Sequence, residues 1–414
     1  MHSLRLLMRS LSTGMPLFLF TAIAFPQILA SGDPRPLFPP LYPPVCTIVP
    51  AQFTTAQRAA PPAADDTARL QTALTSCAGT GRSVLLVSSG ANNAFYSGTL
   101  TVNGEAVVVG YGVTLYGNDT YSGELLSVTG TNAALLGPGT IDGRGDLISG
   151  TPRLVSAKNI QNFNVGYLTL QHAAKMHLYI EDGSGVSIWF LTIATPANTK
   201  NTDGIDLDSL SNATVFASSL NDGDDGVAIK TNSGPASNIT VLGNKFYGTH
   251  GMSIGSQTMY GVTNVLWDDN QVFGTDQFGI VSNDNNAINI KSDYDCGGPV
   301  NQVTYRNTRL TGVKHLLIFN TYYGSCSGTP GIPWYQNIVV DGVIATDSES
   351  GAYSEFEGYD AANPLGLYLA NVNLDATAQQ DSQYANVGLD NSNITPAGTG
   401  VTTFDFTLRD PWPF

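Results

Sequence analysis

The chain has 414 residues, 33 acidic against 18 basic side chains, and a formal charge of −15 at neutral pH. That balance excludes a general nucleic-acid binder, which needs a basic footprint to neutralise phosphates, and a hydrophobic content of 42% excludes a disordered chain. Only 12% of the residues are charged, about half the usual ~25%, while 44 glycines and 18 tyrosines point to strands and turns with neutral polar surfaces.

Residues 1–30 read as a secretory signal peptide. Arg5 and Arg9 supply a basic start, and Met15 to Ala24 is an apolar run too short to span a bilayer as a helix. Cleavage is expected after Ala30, which would remove two arginines and no acids and move the charge from −15 to −17. No later segment is long and apolar enough to anchor the chain, so the expectation is a secreted, extracellular protein. Cys46, Cys77, Cys296 and Cys326 make an even count in such a chain, which suits two disulfides, and proximity in sequence favours Cys46–Cys77 and Cys296–Cys326 over other pairings or free thiols. No CxxC or HxxxH spacing suggests zinc.

Residues 31–64 form a Pro-rich, irregular leader expected to pack loosely over one end. From Asp66 to Cys77 the spacing of Ala68, Leu70, Ala73 and Leu74 predicts one short amphipathic helix. Beyond it come short β-rich segments separated by Gly, Asn and Ser at a long, fairly regular interval. The frame Asn, apolar, any, apolar recurs at Asn162, Asn212 and Asn238, with looser copies at Gly185, Asn264, Gln302 and Asn337. Intervals from 162 to 264 are 23, 27, 26 and 26 residues, and the next two are longer, implying inserted loops. Propeller blades need about 40 residues or more. The period suits an all-β right-handed parallel β-helix, in which stacked coils share a continuous core and the terminal coils need caps. The 66–77 helix is the natural N-terminal cap, and residues 65–414 read as one domain.

Carboxylates gather between residues 198 and 256. Asp203 and Asp224 lie 21 residues apart, and His250 follows Asp225 by 25, each close to one coil; Lys291 comes 41 residues later, one coil plus an insertion. Positions one coil apart sit about 4.8 Å apart along a parallel stack, so these side chains form a ladder on one face. Stacked like charges push pKa values apart, and a protonated carboxyl beside an ionised one is what glycosidic hydrolysis needs. Asp and Asn also favour turns for their own backbone bonds, and Asp206 and Asp208 read as solvent-facing strand residues. Asp222, Asp224 and Asp225 do not fit an EF-hand calcium frame.

In order, Asn201-Thr202-Asp203-Gly204, Gly223-Asp224-Asp225, His250-Gly251 and Ile290-Lys291 resemble the motifs of polygalacturonases, the pectin-hydrolysing family 28 glycoside hydrolases, closest to bacterial endo-acting members. The likeness covers roughly Asp66 to Tyr323. It implies a monomeric right-handed parallel β-helix that inverts configuration while hydrolysing α-1,4-linked galacturonan, with pectic polysaccharide as partner and no cofactor or metal. By this resemblance Asp224 is the general acid, Asp203 and Asp225 position and deprotonate water, and His250 tunes the acid. Lys291 binds a substrate carboxylate, while Asn201 and Tyr323 line the cleft.

One position departs from the family's Arg-Ile-Lys: the chain has Asn289-Ile290-Lys291. Asparagine replaces neither the charge nor the bidentate fork of arginine, so another Arg fills the site, the +1 sugar is not a free galacturonate, or activity is weak. Methylated, xylosylated and rhamnose-containing pectins are the alternative substrates. A calcium-dependent pectate lyase-like eliminase and a non-catalytic carbohydrate-binding β-helix are the rival functions. Lys230 and Lys291 are expected to supply the local positive charge that holds an acidic polymer. Long-range repulsion between two polyanions is screened beyond about 8–10 Å at physiological salt. The KM for polygalacturonate should therefore fall between low and moderate salt, measured by initial rates; a steep loss of activity over that range would contradict this.

Overall fold

A computed structural model describes residues 28–408 apart from positions 283, 327 and 329. All but the last three positions of the expected signal segment fall outside these residues. The described strands form two parallel sheets, of 23 and ten strands. Together they wind into a right-handed parallel β-helix, the hand that parallel crossovers adopt. The ten-stranded sheet gives the simplest view of the stack. It takes one short strand per coil, from Ala94–Ser97 and Thr114–Gly117 through Ser219–Asn221 to Arg309–Thr311 and Ile344–Thr346, with starts 20 to 38 residues apart. The two longest intervals are the last two, where inserted loops were expected.

The recurring frame is the register itself. Gln161 pairs with Ser184, Ser211 with Ser237, Thr263 with Asn301 and Asn301 with Gln336, so the frame positions that follow them lie on one line. Each takes a left-handed backbone, with φ of 56° at Asn162, 81° at Gly185, 57° at Asn212, Asn238 and Gln302, 56° at Asn264 and 53° at Asn337. That conformation costs most L-residues about 1–2 kcal/mol and suits Gly and Asn. The Asn carboxamides offset it by bonding along the stack: Asn238 Nδ2 donates to Asn212 Oδ1 at 3.1 Å and Asn264 Nδ2 to Asn238 Oδ1 at 2.8 Å. Alternate residues point inward and meet their equivalents, as in Val165, Ile188, Val215, Val241, Trp267 and Tyr305. All six are buried. A coil alone would leave these rows in water, whereas stacking makes one continuous core.

The α-helix Thr67–Cys77 closes the N-terminal end with Leu70, Leu74 and Cys77 buried. Ala68, expected on that face, is exposed and Ala73 only half-buried. Both expected disulfides form, Cys46–Cys77 with Cα atoms 6.1 Å apart and Cys296–Cys326 with Cα atoms 6.2 Å apart. The first ties the helix to the strand Val45–Pro50, which pairs in parallel with Ser83–Val87 and so belongs to the stack.

The leader is therefore neither wholly irregular nor loose. It runs back along the side of the stack. Ala30 N donates to Thr304 Oγ1 at 2.9 Å, Ser31 N to Asn264 Oδ1 at 2.8 Å and Asp33 N to Thr240 Oγ1 at 2.9 Å. Further along, Arg35 donates to the Val186 carbonyl and Tyr42 to that of Gly137. Gly32 allows this approach, because a Cβ there would lie 2.1 Å from Thr240 Oγ1. Among the described residues no helix is long and apolar enough to cross a membrane.

Cys46–Cys77 closes a 31-residue separation, for which chain entropy gives about 3–4 kcal/mol of stabilisation. Replacing both cysteines by serine should lower the unfolding free energy by roughly that amount, read from denaturant melts, and should free the helix end first in hydrogen exchange.

Candidate active site

Strands Ile205–Phe216, Val227–Lys230, Met252–Ile254 and Asn286–Asp293 lie one above another, with Ile205, Val227, Met252 and Ile288 in register. Two residues before each stand Asp203, Asp225, His250 and Asn286. The same structural position on four successive coils thus carries a polar or charged side chain. A glycine follows three of them. Gly204 N donates to the Asp225 carbonyl at 2.9 Å and Gly226 N to that of Gly251 at 3.1 Å. A Cβ on Gly204 would come within 2.5 Å of the Gly226 carbonyl oxygen, so the coils can approach this closely only without a side chain there.

Asp224 stands beside this column. Its carbonyl accepts from His250 N at 2.6 Å, and its Oδ1 lies 3.1 Å from His250 Nδ1. Ligand atoms of Asp224, Asp225 and His250 all lie within 4.8 Å of one another. Lys291 Nζ donates to Asp225 Oδ1 at 3.0 Å and Ser253 Oγ to the same oxygen at 2.6 Å, with Asn289 Nδ2 at 3.4 Å behind Ser253. Lys230 Nζ donates to Asp203 Oδ2 at 3.0 Å and also to Asp206. Exposed Tyr323 lies under Lys291, whose Nζ is 5.1 Å from the ring centroid. Asn201 is exposed on the loop leading to Asp203, with a left-handed backbone.

Burial and charge separate these carboxyls chemically. Burial raises the Asp203 carboxyl, with Lys230 opposing and the charges of Asp225 and Asp224 reinforcing. Burial pushes Asp206 up to about 8 and Asp222 well above the usual carboxylate range. Asp224 goes the other way. Burial alone would raise it, but the hydrogen bond and charge of His250, helped by Lys291, hold it at about 2. The same bond outweighs burial at His250 and raises that imidazole above its ordinary value. In the free protein the proton of this pair therefore sits on the imidazole.

One expectation from the sequence needs correcting. Asp206 and Asp208 are fully buried: Asp206 lies beneath Lys230, and Asp208 accepts from Tyr179 OH at 2.9 Å and Asn232 Nδ2 at 2.6 Å. Their alternation gave the correct face, but the lysine of the next coil covers it. Lys230 and Lys291, the expected local positive charges, are each paired with an aspartate, Asp203 and Asp225 respectively. Asp222 had no assigned part; it is fully buried and its Oδ1 accepts from Asp224 N at 3.2 Å, fixing the turn that carries Asp224. The 24-residue separation of Asp206 and Lys230, one coil, is the signal that would have paired them.

The site sits within a recognised lineage. Residues 77–393 match the model for Glycosyl hydrolases family 28. The chain is 32% identical to an endo-polygalacturonase of Pectobacterium carotovorum subsp. carotovorum over 91% of its own length and 96% of that protein's. It is 30% identical to a polygalacturonase of Ralstonia solanacearum, covering 82% of the chain and 79% of that protein. The solved polygalacturonase from Erwinia carotovora ssp. carotovora superimposes with a TM-score of 0.75 at 30% identity, covering 86% of this chain and 99% of that one. The aspartate ladder thus belongs to a chain of glycosyl hydrolase family 28.

Proposed function

We propose that the protein is a secreted, monomeric polygalacturonase that hydrolyses α-1,4-galacturonosyl linkages of pectin with inversion at the anomeric carbon. The observation that carries this reading is the division of labour among the stacked aspartates. Asp224 shares a proton with His250, whereas Asp203 and Asp225 are each held by a lysine. Family membership and the endo-polygalacturonase relatives support the substrate class. The leading segment, Arg5 and Arg9 followed by an apolar run, supports export.

In this mechanism the His250–Asp224 pair supplies the acid. Transfer along the Nδ1–Oδ1 hydrogen bond puts the proton on Asp224, which passes it to the glycosidic oxygen as the bond to the anomeric carbon breaks. Water attacks that carbon from the opposite face. Its proton goes to Asp203 or Asp225, and the products are a shortened chain with a new reducing end and the released fragment. Burial makes Asp203 a stronger base than an ordinary carboxylate, while Lys230 keeps its oxygen oriented. Ser253, Asn289 and Lys291 fix Asp225 in the same way. In this reading Asn201 and Tyr323 line the polymer's path. The atoms of Asp224, Asp225 and His250 lie close together, with Lys291 bound to Asp225 and His250 to Asp224.

Release of reducing ends from polygalacturonate, with the first product seen by proton NMR as the β anomer, tests the proposal. Asp224→Asn should lower kcat by about a thousandfold or more with binding retained. Near-normal turnover in that variant, or products absorbing in the near-UV together with EDTA sensitivity, would sink the hydrolase assignment.

The pH dependence follows from the pair. Asp224, depressed to about 2, is ionised above that pH, and His250, raised, keeps its proton until pH climbs through its own elevated pKa. Activity should be lost on the alkaline side as that shared proton leaves. In His250→Asn the acid must ionise on its own, so the alkaline limb of the kcat profile should move to lower pH; an unmoved limb would show that His250 does not tune the acid.

A further inference from the structure

Beyond the aspartates, toward the C-terminal coils, the cleft continues into a pocket lined by Asn289, Lys291, Ile318, Asn320, Tyr353 and Glu355 among others. Asn289, Ile318 and Glu355 are in register on three successive coils. We propose, resting on the hydrolase reading above, that this pocket takes an uncharged sugar unit of the pectic chain, either a methyl-esterified galacturonosyl residue or a neutral sugar, and that Glu355 sets this choice.

Glu355 is only 6% exposed, and its Oε1 has no hydrogen-bond partner. A buried polar atom without a partner is destabilising, and a ligand that bonds it relieves that cost. Burial, with the charges of Glu357 on its own strand and Asp381 on the next, pushes the carboxyl up to about 8 against a hydrogen bond from Asn320. At neutral or acid pH it therefore carries a proton and can donate to an ester carbonyl or a hydroxyl.

The charges lining the pocket disfavour a free carboxylate. Lys291 is bound to Asp225 and His250 to Asp224. His315 is pushed down by burial and by Lys314, and its Nδ1 lies 2.8 Å from Asn286 Oδ1. Asp284 adds a carboxylate to the lining. An entering carboxylate would lose its water and meet that charge, with no unattached cation among the described lining residues to answer it. An ester or a neutral sugar brings no such charge, and the side chains of Ile318 and Tyr353 offer apolar wall to a methyl group.

The test uses the full-length enzyme on randomly half-esterified homogalacturonan, with tandem mass spectrometry placing each methyl ester relative to the cut. One fixed side of the scissile bond should carry an ester several-fold more often than chance. Glu355→Gln, which keeps a neutral donor, should retain that enrichment. Glu355→Lys should abolish it and raise kcat/KM on fully de-esterified galacturonan by about tenfold. Random esters together with cleavage of rhamnogalacturonan that leaves the neutral sugar on that side would identify the neutral sugar as the occupant. Full-rate cutting with free carboxylates on both sides of the bond would overturn the inference while leaving the hydrolase reading intact. If no pectic polymer releases reducing ends, the hydrolase reading fails and this inference fails with it.

Discussion

Everything in this molecule depends on in-register stacking: each residue lies directly over its equivalent one coil away, at about the spacing of neighbouring strands. On the inside this converts short apolar triplets, none able to bury itself, into continuous rows such as Val165 to Tyr305. At the turns it lets one carboxamide bond the next, so a backbone conformation unfavourable to most residues is repeated many times. At the cleft the same constraint places Asp203, Asp225 and His250 in one structural position on successive coils. The machinery that builds the core therefore also builds the site.

Stacking acids has an electrostatic cost, and the chain manages it by placing cations at the same height. Lys230 answers Asp203 and Asp206, Lys291 answers Asp225, and His250 answers Asp224. Because each acid meets a different partner at a different depth, nominally identical carboxyls acquire different proton affinities, the condition under which one serves as acid and another as base. A net charge of −15 is then less paradoxical for an enzyme of acidic polymers. At the site its positive charge is paired with the stacked aspartates.

The repeat was legible because Asn and Gly at left-handed turns, and apolar residues two apart, are local consequences of the coil. The column of Asp203, Asp225 and His250 was legible because their separations of 22 and 25 residues are each close to one coil, with Asp224 next to it in sequence. Where the reading failed, the cause was non-local. Alternation placed Asp206 and Asp208 on the outer face but could not show that Lys230 and Asn232, from the next coil, would cover them. Glu355 was invisible because it lies past inserted loops that break the period, and its role depends on what surrounds it rather than on any motif. The leader was misjudged for the same reason, since Pro-rich composition says nothing about hydrogen bonds to residues more than two hundred positions away.

That leader gives the fold an unusual relation between the order of synthesis and the order of assembly. Nearly every other contact joins neighbouring coils, so the stack can grow locally as chain becomes available. The amide of Ser31 instead bonds Asn264, 233 residues later, and that of Asp33 bonds Thr240, 207 residues later. A chain made from its amino end therefore produces this strap first and can fasten it only after the coils bearing Thr240 and Asn264 have been laid down. The strap works as a latch on a column already built to that height, and its closure follows the coils that carry Asp203, Asp224, Asp225 and His250.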